Sequence, residues 1–308
     1  MGRKMRVLIV GLPLFSKRLA EKLSEFDKQN TYISLDTYYN KWDKLKARFL
    51  IPQSDLVFSI NGSMTKSRVF DLALRKKVPV IMNWVGTDVL KALDAHKKGS
   101  AVMEYKEKAV HYCEVDWIRD ELSEIGIVPE IVNFASFDNE FELKQPEGKF
   151  TVLTYISDGR AEFYGIKSIL KLAENNPDVR FLIAGTKADA YHPLPDNVEA
   201  LGWVTNMDEL FNMSHVCIRF PEHDGLSTFI LEALARGKEV LYKYPFHHCH
   251  HCKDDQGLEE EMKKLLSEFN TGKWKVNAAG AEFIRNEFSS EVILNGLINR
   301  FKKISGKG

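Results

Sequence analysis

Residues 219–237 read RFPEHDGLSTFILEALARG and carry the clearest structural signal in the chain. They follow a short, mostly apolar run, His215–Arg219, which is typical of a buried strand. After the Asp224–Gly225 turn, apolar residues recur at helical spacing until Gly237, which ends the predicted helix. These apolar residues are Leu226, Phe229, Ile230 and Leu234. A strand, a turn and a helix in this order predict one repeat of a parallel α/β sheet.

The start of this predicted helix is a candidate anion site. Ser227 and Thr228 lie where the first backbone N–H groups of a helix have no partner inside the helix, and such groups bind phosphate. Two carboxylates, Asp224 and Glu232, lie eight residues apart on either side of this point. The alternative is an ordinary strand–turn–helix unit that binds nothing.

The chain has 308 residues, which suits about two domains with separate cores. Its 43 basic and 43 acidic side chains balance overall. Residues 1–98, however, carry 19 Lys and Arg against 9 Asp and Glu, a surplus of ten positive charges. This surplus predicts either a solvated face or a surface for an anionic partner, such as phospholipid headgroups or a phosphorylated acceptor.

Apolar runs in the sequence are all too short to span a membrane, and the amino-terminal residues do not resemble a signal peptide. The four cysteines follow no regular spacing that would indicate a disulfide framework. These observations predict a soluble, cytoplasmic protein.

The first half predicts a Rossmann-like domain. Met5–Gly11 is typical of a buried parallel strand and Phe15–Phe26 of an amphipathic helix. Gly11 stands alone where a dinucleotide fingerprint has three glycines, so NAD or FAD binding is not supported and no cofactor is expected. Further strands are predicted at Tyr32–Leu35, Asp55–Ile60, Val78–Met82 and His111–Glu114, and further helices at Arg68–Arg75, Asp88–Ala95 and Asp116–Glu124.

Two loops at predicted strand ends in this half, Asn61–Thr65 and Asn83–Asp88, contain small and polar residues. Ligands of parallel sheets bind at the carboxyl ends of the strands, which makes both loops candidate binding sites. The alternative is that Thr87 or Asp88 caps the following helix.

The second half repeats the pattern after a polar segment, Asp138–Lys149, that is typical of a domain linker. Strands are predicted at Phe150–Ile156, Val179–Gly185, Val198–Val204, Val216–Arg219 and Lys238–Tyr242, and helices at Gly165–Glu174, Met207–Asn212, Leu258–Phe269, Gly280–Glu287 and Ser290–Ile304. We therefore expect two Rossmann-like parallel-sheet domains, residues 1–144 and 145–287, facing a cleft. The last helix, within residues 288–308, is expected to pack back on the first domain.

This arrangement resembles the retaining glycosyltransferases of the two-Rossmann-domain (GT-B) architecture, in particular the large family 4. Members carry two glutamates eight positions apart, followed by an alanine-rich helix and a glycine. Asp224–Glu232 is similar to that motif, with aspartate for the first glutamate. Tyr155–Arg160 with Tyr164–Gly165 looks like the family's G-R…K-G turn, and Leu201–Val204 like its glycine turn beside the nucleotide base.

In the first domain, Val85–Asp88 looks like the family's H-G-x-D loop and Trp117–Gly126 like the helix after its last strand. The resemblance places Gly86 and Asp88 on the acceptor side. Three positions depart from the family pattern: Asp224 replaces the first glutamate, Val85 replaces the histidine of the H-G-x-D loop, and Tyr164 replaces the lysine of the G-R…K-G turn. Lys167, one helical turn further on, is the nearest lysine.

The resemblance also implies roles for the donor-side residues. Asp224 would hydrogen-bond the donor sugar, and Glu232 would hold the ribose hydroxyls. Arg160 would neutralise the charge that develops on the leaving diphosphate. The remaining implied donor-binding residues are Tyr164, Lys167, Val204, Gly225, Leu226, Ser227 and Thr228, the last three through their backbone N–H groups.

Transfer in this family needs no metal ion, and we expect none here. The implied partners are a nucleotide-sugar donor and an acceptor that is anionic or lipid-linked, with peripheral membrane contact and without nucleic acid. Two alternatives remain open. The first is a catalytically silent relative that binds nucleotide or glycan as a partner protein, which the departures at Val85 and Tyr164 favour. The second is a nucleotide-sugar epimerase, which only the shared architecture suggests.

A histidine-rich segment, His247–Cys252, contains six consecutive imidazole and thiol side chains. Such side chains bind zinc or copper. Structural zinc sites, however, take ligands from two pairs that lie far apart in sequence, and a second pair is absent here. We interpret the segment as a loop at the carboxyl edge of the second sheet, with a metal site as the less favoured alternative.

Overall fold

The computed structural model describes residues 4–138 and 141–307. The chain forms two compact units. Unit 1 runs to Ser136 and includes Asp224–Leu226 and the residues from Phe288 onward, and unit 2 comprises Phe137–His223 and Ser227–Glu287. Two residues of the predicted linker, Asn139 and Glu140, lie outside the described residues.

Unit 1 contains a six-stranded parallel sheet with the strand order β2-β1-β3-β4-β5-β6. Its strands are β1 (Arg6–Gly11), β2 (Thr31–Ser34), β3 (Leu56–Ile60), β4 (Val80–Trp84), β5 (Val110–Cys113) and β6 (Glu130–Ile131). Every residue of β3 and β4 is buried, as expected for strands that are covered on both faces. The order changes direction between β1 and β3, which is the topological switch point of this sheet.

The helices of unit 1 are α1 (Pro13–Phe26), α2 (Lys41–Leu50), α3 (Arg68–Arg75), α4 (Thr87–Lys97), α5 (Met103–Lys108), α6 (Asp116–Ser123) and α12 (Ser290–Ser305). A 3-10 turn, Ile51–Gln53, follows α2. Helix α12 packs on the sheet of this unit. The ring of Phe301 lies 5.2 Å from that of Phe58 on β3, and Arg300 forms an ion pair with Glu130 on β6 at 2.6 Å.

Unit 2 contains a second six-stranded parallel sheet with the order β12-β11-β10-β7-β8-β9. Its strands are β7 (Thr151–Tyr155), β8 (Arg180–Ala184), β9 (Val198–Gly202), β10 (Val216–Arg219), β11 (Glu239–Tyr242) and β12 (His250–His251). Its helices are α7 (Ile166–Asn175), α8 (Asp208–Met213), α9 (Thr228–Ala235), α10 (Asp255–Asn270) and α11 (Ala278–Glu287), and a 3-10 turn spans Asp189–Tyr191.

The predicted pair of parallel-sheet domains is confirmed, with three local differences. Strand β4 extends to Trp84, so the first two residues of the predicted Asn83–Asp88 loop belong to the strand. Helices α2 and α5 were not among the predicted elements. Strands β6 and β12 are two residues long, too short to produce a periodic pattern.

Across residues 4–138 and 141–307, every helix is too short or too polar to cross a lipid bilayer.

Candidate functional site

In unit 2 the sheet order changes direction between β7 and β10, the first and fourth strands of this unit. The two strands pair in parallel with Leu153 opposite Cys217. Their carboxyl ends therefore lie side by side, and so do the loops that leave them. Open α/β sheets bind ligands at such a switch point. In this chain the two loops are residues 156–165 and 220–227.

The loop after β7 is fixed against the end of β10. The backbone N–H of Glu222 donates to the carbonyl of Phe163 at 2.8 Å. Gly165 has a φ of +79°, and a Cβ at that position would lie 2.1 Å from the carbonyl oxygen of Phe220. Only glycine fits both this backbone conformation and this approach.

Replacing Gly165 by alanine is expected to lower the free energy of unfolding by about 2 kcal/mol or more, because the new methyl group has no room beside Phe220. Gly159→Ala is the matched control, since Gly159 has a φ of +73° and no heavy atom within 4 Å of its Cβ position. Urea denaturation of both variants separates the cost of the contact from the cost of the backbone conformation. If both variants lost the same free energy of unfolding, the close approach of Gly165 to Phe220 would carry no cost, contrary to this prediction.

Helix α9 has an open amino-terminal end. Its cap residue, Ser227, is extended with φ −75° and ψ 122°, and the Ser227 hydroxyl makes no capping hydrogen bond. Within the described part of the chain, the backbone N–H groups of Ser227 and Thr228 have no hydrogen-bond acceptor. Ser227 is buried and Thr228 is half-buried. Unpaired donors at a helix start carry about half a positive charge, which favours an anion.

Arg160 lies on the surface of the loop after β7. Its guanidinium carbon stands 4.1 Å from the ring centre of Phe163 and 5.5 Å from that of Tyr164. No carboxylate in the described ranges forms an ion pair with it. The two aromatic rings thus hold the Arg160 guanidinium at the surface of this loop.

Lys167 is engaged by a neighbour in this structure. Its ammonium forms an ion pair with Glu162 at 2.7 Å, and both side chains are exposed. The hydrogen bond raises the pKa of Lys167 and lowers that of Glu162. Lys167, the lysine nearest to the position of the family's missing one, is therefore paired with the carboxylate of Glu162.

A buried arginine at the switch point was not predicted from the sequence to have a role. Arg219 ends β10 with 8% of its surface exposed. Its Nη1 donates to the Tyr155 carbonyl at 3.2 Å, and its guanidinium carbon lies 4.5 Å from the ring centre of Tyr164. A buried guanidinium needs such partners, because burying a charge without them is costly. The signal in the sequence was an arginine closing an otherwise apolar strand.

Two other predicted donor-side residues also belong to unit 2. Glu232 is half-buried on α9, and its backbone carbonyl accepts a hydrogen bond of 3.0 Å from Arg236 Nη1. Val204 is half-buried two residues after β9 ends at Gly202. The donor-binding roles of these residues stay predictions.

The turn Asp224–Leu226 belongs to unit 1. A Cβ on Gly225 would lie 2.2 Å from the carbonyl oxygen of Val85, and one on Gly86 would lie 3.2 Å from the backbone nitrogen of Gly225. The Trp117 indole N–H donates to the Asp224 carbonyl at 2.9 Å. The predicted acceptor-side Gly86 and the donor-side Gly225 are therefore in direct backbone contact within this unit.

Asp88 is buried at the start of α4, and its carboxylate holds the loop that precedes it. It accepts backbone N–H groups from Gly62 at 2.7 Å, Gly86 at 2.8 Å and Val85 at 3.2 Å. Burial raises the pKa of this carboxyl, and the hydrogen bonds oppose that shift. Among the residues that the structure describes, helix α4 has no side-chain capping hydrogen bond at its start, and the donors that Asp88 binds all precede the helix, so the capping alternative is not confirmed. An acceptor-side role for Asp88 stays a prediction.

Two buried polar side chains near this loop were not predicted from the sequence as site residues. Glu114 directly follows β5, and burial raises its pKa to about 8, with a further contribution from the charge of Asp88. Asn83 on β4 is 1% exposed, and neither its Oδ1 nor its Nδ2 has a hydrogen-bond partner among the described residues. Both sit at the carboxyl ends of neighbouring strands, where this sheet class binds ligands.

The histidine-rich segment is not entirely a loop, which corrects our interpretation. His250 and His251 form the edge strand β12, which pairs with β11 through Leu241 opposite His250. The two ring nitrogens of His250 lie 2.9 Å from a Glu239 carboxylate oxygen and 3.1 Å from one of Glu261. In residues 4–138 and 141–307, no group of three or more His, Cys, Asp or Glu side chains is arranged to hold a metal ion.

His250 is expected to stabilise the chain at acidic and neutral pH and to lose this effect as pH rises. The hydrogen bonds to Glu239 and then Glu261 raise its pKa above the ordinary 6.5, so its contribution is complete below that pH and disappears through the raised pKa. His250→Gln should therefore lower the free energy of unfolding by about 1 kcal/mol at pH 6 and by less at pH 9. Thermal melts across pH measure this, with exposed His251→Gln as the control. A loss independent of pH would contradict the charged pairing.

No protein family's sequence profile matches the chain, and no curated protein matches it in sequence. Solved structures match its fold. The Anabaena protein HepE (Alr3699), in complex with UDP and glucose, matches with a TM-score of 0.72 at 12% identity, over 97% of this chain and 100% of HepE. Sucrose-phosphate synthase from Thermosynechococcus elongatus matches with a TM-score of 0.70 at 12% identity, over 99% of this chain and 100% of the synthase. A glycosyltransferase from Rickettsia africae matches with a TM-score of 0.68 at 13% identity, over 99% of this chain and 100% of that glycosyltransferase.

At these identities the likeness concerns the fold. It extends over nearly the whole of each chain, and both sheets are parallel as the sequence predicted. The fold class is therefore an α/β chain with two Rossmann-like domains of the GT-B type.

Proposed function

We propose that this chain is a glycosyltransferase that moves a hexosyl group from a nucleoside-diphosphate donor to an acceptor hydroxyl, with retention at the anomeric carbon and without a metal ion. The observation that carries the proposal is the switch point of unit 2, where an open helix start lies beside an arginine-bearing loop. HepE, which shares the fold, was solved with UDP and glucose, and the Rickettsia africae neighbour is a glycosyltransferase.

In this proposal the diphosphate binds at the start of α9, to the backbone N–H groups of Leu226, Ser227 and Thr228. The ribose hydroxyls donate to Glu232, because a carboxylate can accept a hydrogen bond from each hydroxyl of a diol. Val204 lies beside the base. Tyr164 is assigned to the donor side. The guanidinium of Arg219 lies over its ring, which supports this assignment.

The chemistry breaks the bond between C1 of the sugar and the diphosphate oxygen and forms a bond from the acceptor oxygen to C1 on the same face. The acceptor proton passes to the leaving diphosphate. Arg160 and the helix start stabilise the negative charge that grows on this group, which is usually the largest catalytic contribution. Because these fixed positive groups neutralise the diphosphate, the proposed reaction needs no divalent ion. Asp224 is assigned the hydrogen bond to the donor sugar.

The acceptor is proposed to be anionic or lipid-linked and to bind on the unit 1 side, at Gly86 and Asp88. The surplus of ten positive charges in residues 1–98 supports this class of acceptor. We also propose a cytoplasmic location with peripheral contact to a membrane.

Titration calorimetry with UDP and GDP tests the donor site directly. We expect micromolar binding and at least a tenfold loss in Glu232→Ala. Glu174→Ala is the control, since Glu174 is exposed on α7, away from the switch point. A panel of labelled nucleotide-sugars then reports donor hydrolysis and transfer. If neither nucleotide binds, or if Glu232→Ala binds as the wild type does, the proposed donor site is wrong.

The alternative function is a catalytically silent relative that binds nucleotide or glycan. One contact and one departure in sequence favour it: the ammonium of Lys167 is paired with Glu162, and Tyr164 occupies the position of the family's lysine. Nucleotide binding without hydrolysis of any donor in the panel would support this alternative.

A further inference from the structure

Helix α2 exposes most of its large apolar side chains. Trp42 is 73% exposed, Phe49 is 65% exposed and Leu45 also lies on the surface. Their spacing of three and four residues places them in one stripe along the helix. Tyr39, just before the helix, is 82% exposed. Single exposed apolar residues are ordinary, but a stripe of this size marks an interaction surface.

Buried apolar contacts hold this helix only weakly. Ala47 is its one buried residue. Its amino-terminal end is fixed by Asn40, whose side chain accepts the backbone N–H groups of Trp42 at 2.9 Å and Asp43 at 3.3 Å. A ten-residue helix is only marginally stable in water without packing. A partner that covers the stripe would therefore also stabilise the helix.

The neighbouring side of the helix is strongly basic. Lys41, Lys44 and Arg48 line a cavity of about 990 Å³ that also reaches Gly11 and Asn61 at the switch point of the unit 1 sheet. The far wall adds three more basic side chains: Lys66, Arg68 and Arg75. The one carboxylate among the described lining residues is Asp71, which accepts a hydrogen bond from the Tyr105 hydroxyl.

These positive charges are largely unneutralised. Among the described residues, no carboxylate forms an ion pair with any of these six side chains. The acids nearest in sequence are already engaged: Asp36 accepts the backbone N–H groups of Tyr38 and Tyr39, and Asp43 pairs with Lys46. The surface therefore combines an apolar, aromatic stripe with a net positive flank.

We propose that helix α2 and Tyr39 form a docking surface for an anionic phospholipid bilayer. Trp42, Leu45 and Phe49 enter the interface, since aromatic and aliphatic side chains on a basic helix bind the boundary between headgroups and acyl chains. The basic flank, with Lys41 and Arg48, meets the phosphates of the headgroups. This deepens the membrane contact in the proposed function, but the docking itself does not depend on sugar transfer.

A second copy of the chain is the less suitable occupant. A symmetric dimer through this face would bring the basic flanks of both copies, with Lys41, Lys44 and Arg48, into one interface, and like charges in proximity repel. A membrane with anionic lipid complements both the apolar stripe and the charge.

Vesicle flotation of the full chain tests the proposal, with phosphatidylcholine vesicles with and without phosphatidylglycerol. We expect binding to the anionic vesicles alone, decreasing as salt rises. The Trp42→Asp, Phe49→Asp double variant should lose about tenfold or more in partitioning, and so should Lys41→Glu, Arg48→Glu. Val128→Asp is the matched control for the apolar change, since Val128 is 78% exposed in unit 1 outside this surface. Lys98→Glu, also exposed, is the control for charge.

Tryptophan fluorescence provides a second measurement that does not depend on disruptive variants. Anionic vesicles should shift the tryptophan emission of the wild type to the blue. The Trp42→Phe variant should show no such shift, although the variant should still float with the vesicles. The proposal would be overturned if the wild type did not bind anionic vesicles, or if the Trp42→Asp, Phe49→Asp variant bound them as well as the wild type. It would also be overturned if sedimentation showed that the wild type is a dimer and that this variant is a monomer.

UDP titration of the Trp42→Asp, Phe49→Asp variant separates this inference from the proposed function. Unchanged UDP binding with lost flotation supports the docking surface. Flotation without UDP binding in the wild type would sink the proposed donor site and leave the docking surface standing.

Discussion

Arg160→Ala is expected to lower the rate of sugar transfer by about 10²–10³-fold while weakening the binding of the intact nucleotide-sugar by only a few-fold. The guanidinium is exposed and lies over the ring of Phe163. The charge on the diphosphate grows only as the C1–O bond breaks, and Arg160 is the group assigned to neutralise it. The loss should therefore appear in kcat rather than in KM.

Single-turnover assays with the active nucleotide-sugar measure this effect. Removing the stacked guanidinium should cost about 0.5–1 kcal/mol of stability, too little to unfold the chain. Arg180→Ala is a suitable control, because Arg180 is a partly exposed arginine of unit 2 whose side chain pairs with Glu199 at 2.7 Å. Arg160→Lys should recover part of the rate through its charge. An unchanged kcat in Arg160→Ala would remove the arginine from the proposed chemistry.

Glu114→Gln is expected to stabilise the chain at pH 8 and to have little effect near pH 4.5. The pKa of Glu114 rises from 4.5 to about 8 in the folded protein, mainly because the carboxyl is buried. Between these values the folded state binds a proton that the unfolded state has lost, so stability falls as pH rises. Glutamine cannot ionise and avoids this penalty, which is on the order of 3–5 kcal/mol above pH 8.

Chemical denaturation at several pH values gives the free energy of unfolding of the wild type and of Glu114→Gln. Subtracting one from the other cancels the contribution of the other titrating groups. Glu124→Gln, at an exposed position after α6, is the control and should show no such trend. A difference that is constant across pH would mean that Glu114 is ionised in the folded protein.

The sheets could be predicted from the sequence because parallel strands that are buried on both faces appear as short apolar runs. The run Val216–Ile218 in unit 2 and the run Val7–Val10 in unit 1 are both of this kind. The start of α9 could be predicted as well, because its apolar residues recur at helical spacing, and Phe229, Ile230 and Leu234 are buried in the core.

Features that depend on the surroundings of a residue could not be predicted. Helix α2 was not among the predicted elements, although its apolar residues recur at helical spacing; that these residues face solvent depends on the surroundings of the helix. The buried Arg219 depends on the carbonyl of Tyr155 and the ring of Tyr164, 64 and 55 residues away in sequence. The carboxylate of Asp88 turns inward because three backbone N–H groups converge on it, which residue spacing does not reveal.

Helix α12 has a consequence for the order in which the chain matures on the ribosome. Phe58 of β3 is synthesised early, but its aromatic partner Phe301 follows only after the whole of unit 2. Domains usually fold in the order in which they are made. Here unit 2 has its complete sheet and core while unit 1 still lacks a helix. During that interval the nascent sheet of unit 1 lacks the helix that packs against Phe58, so unit 1 is the later of the two to complete its core.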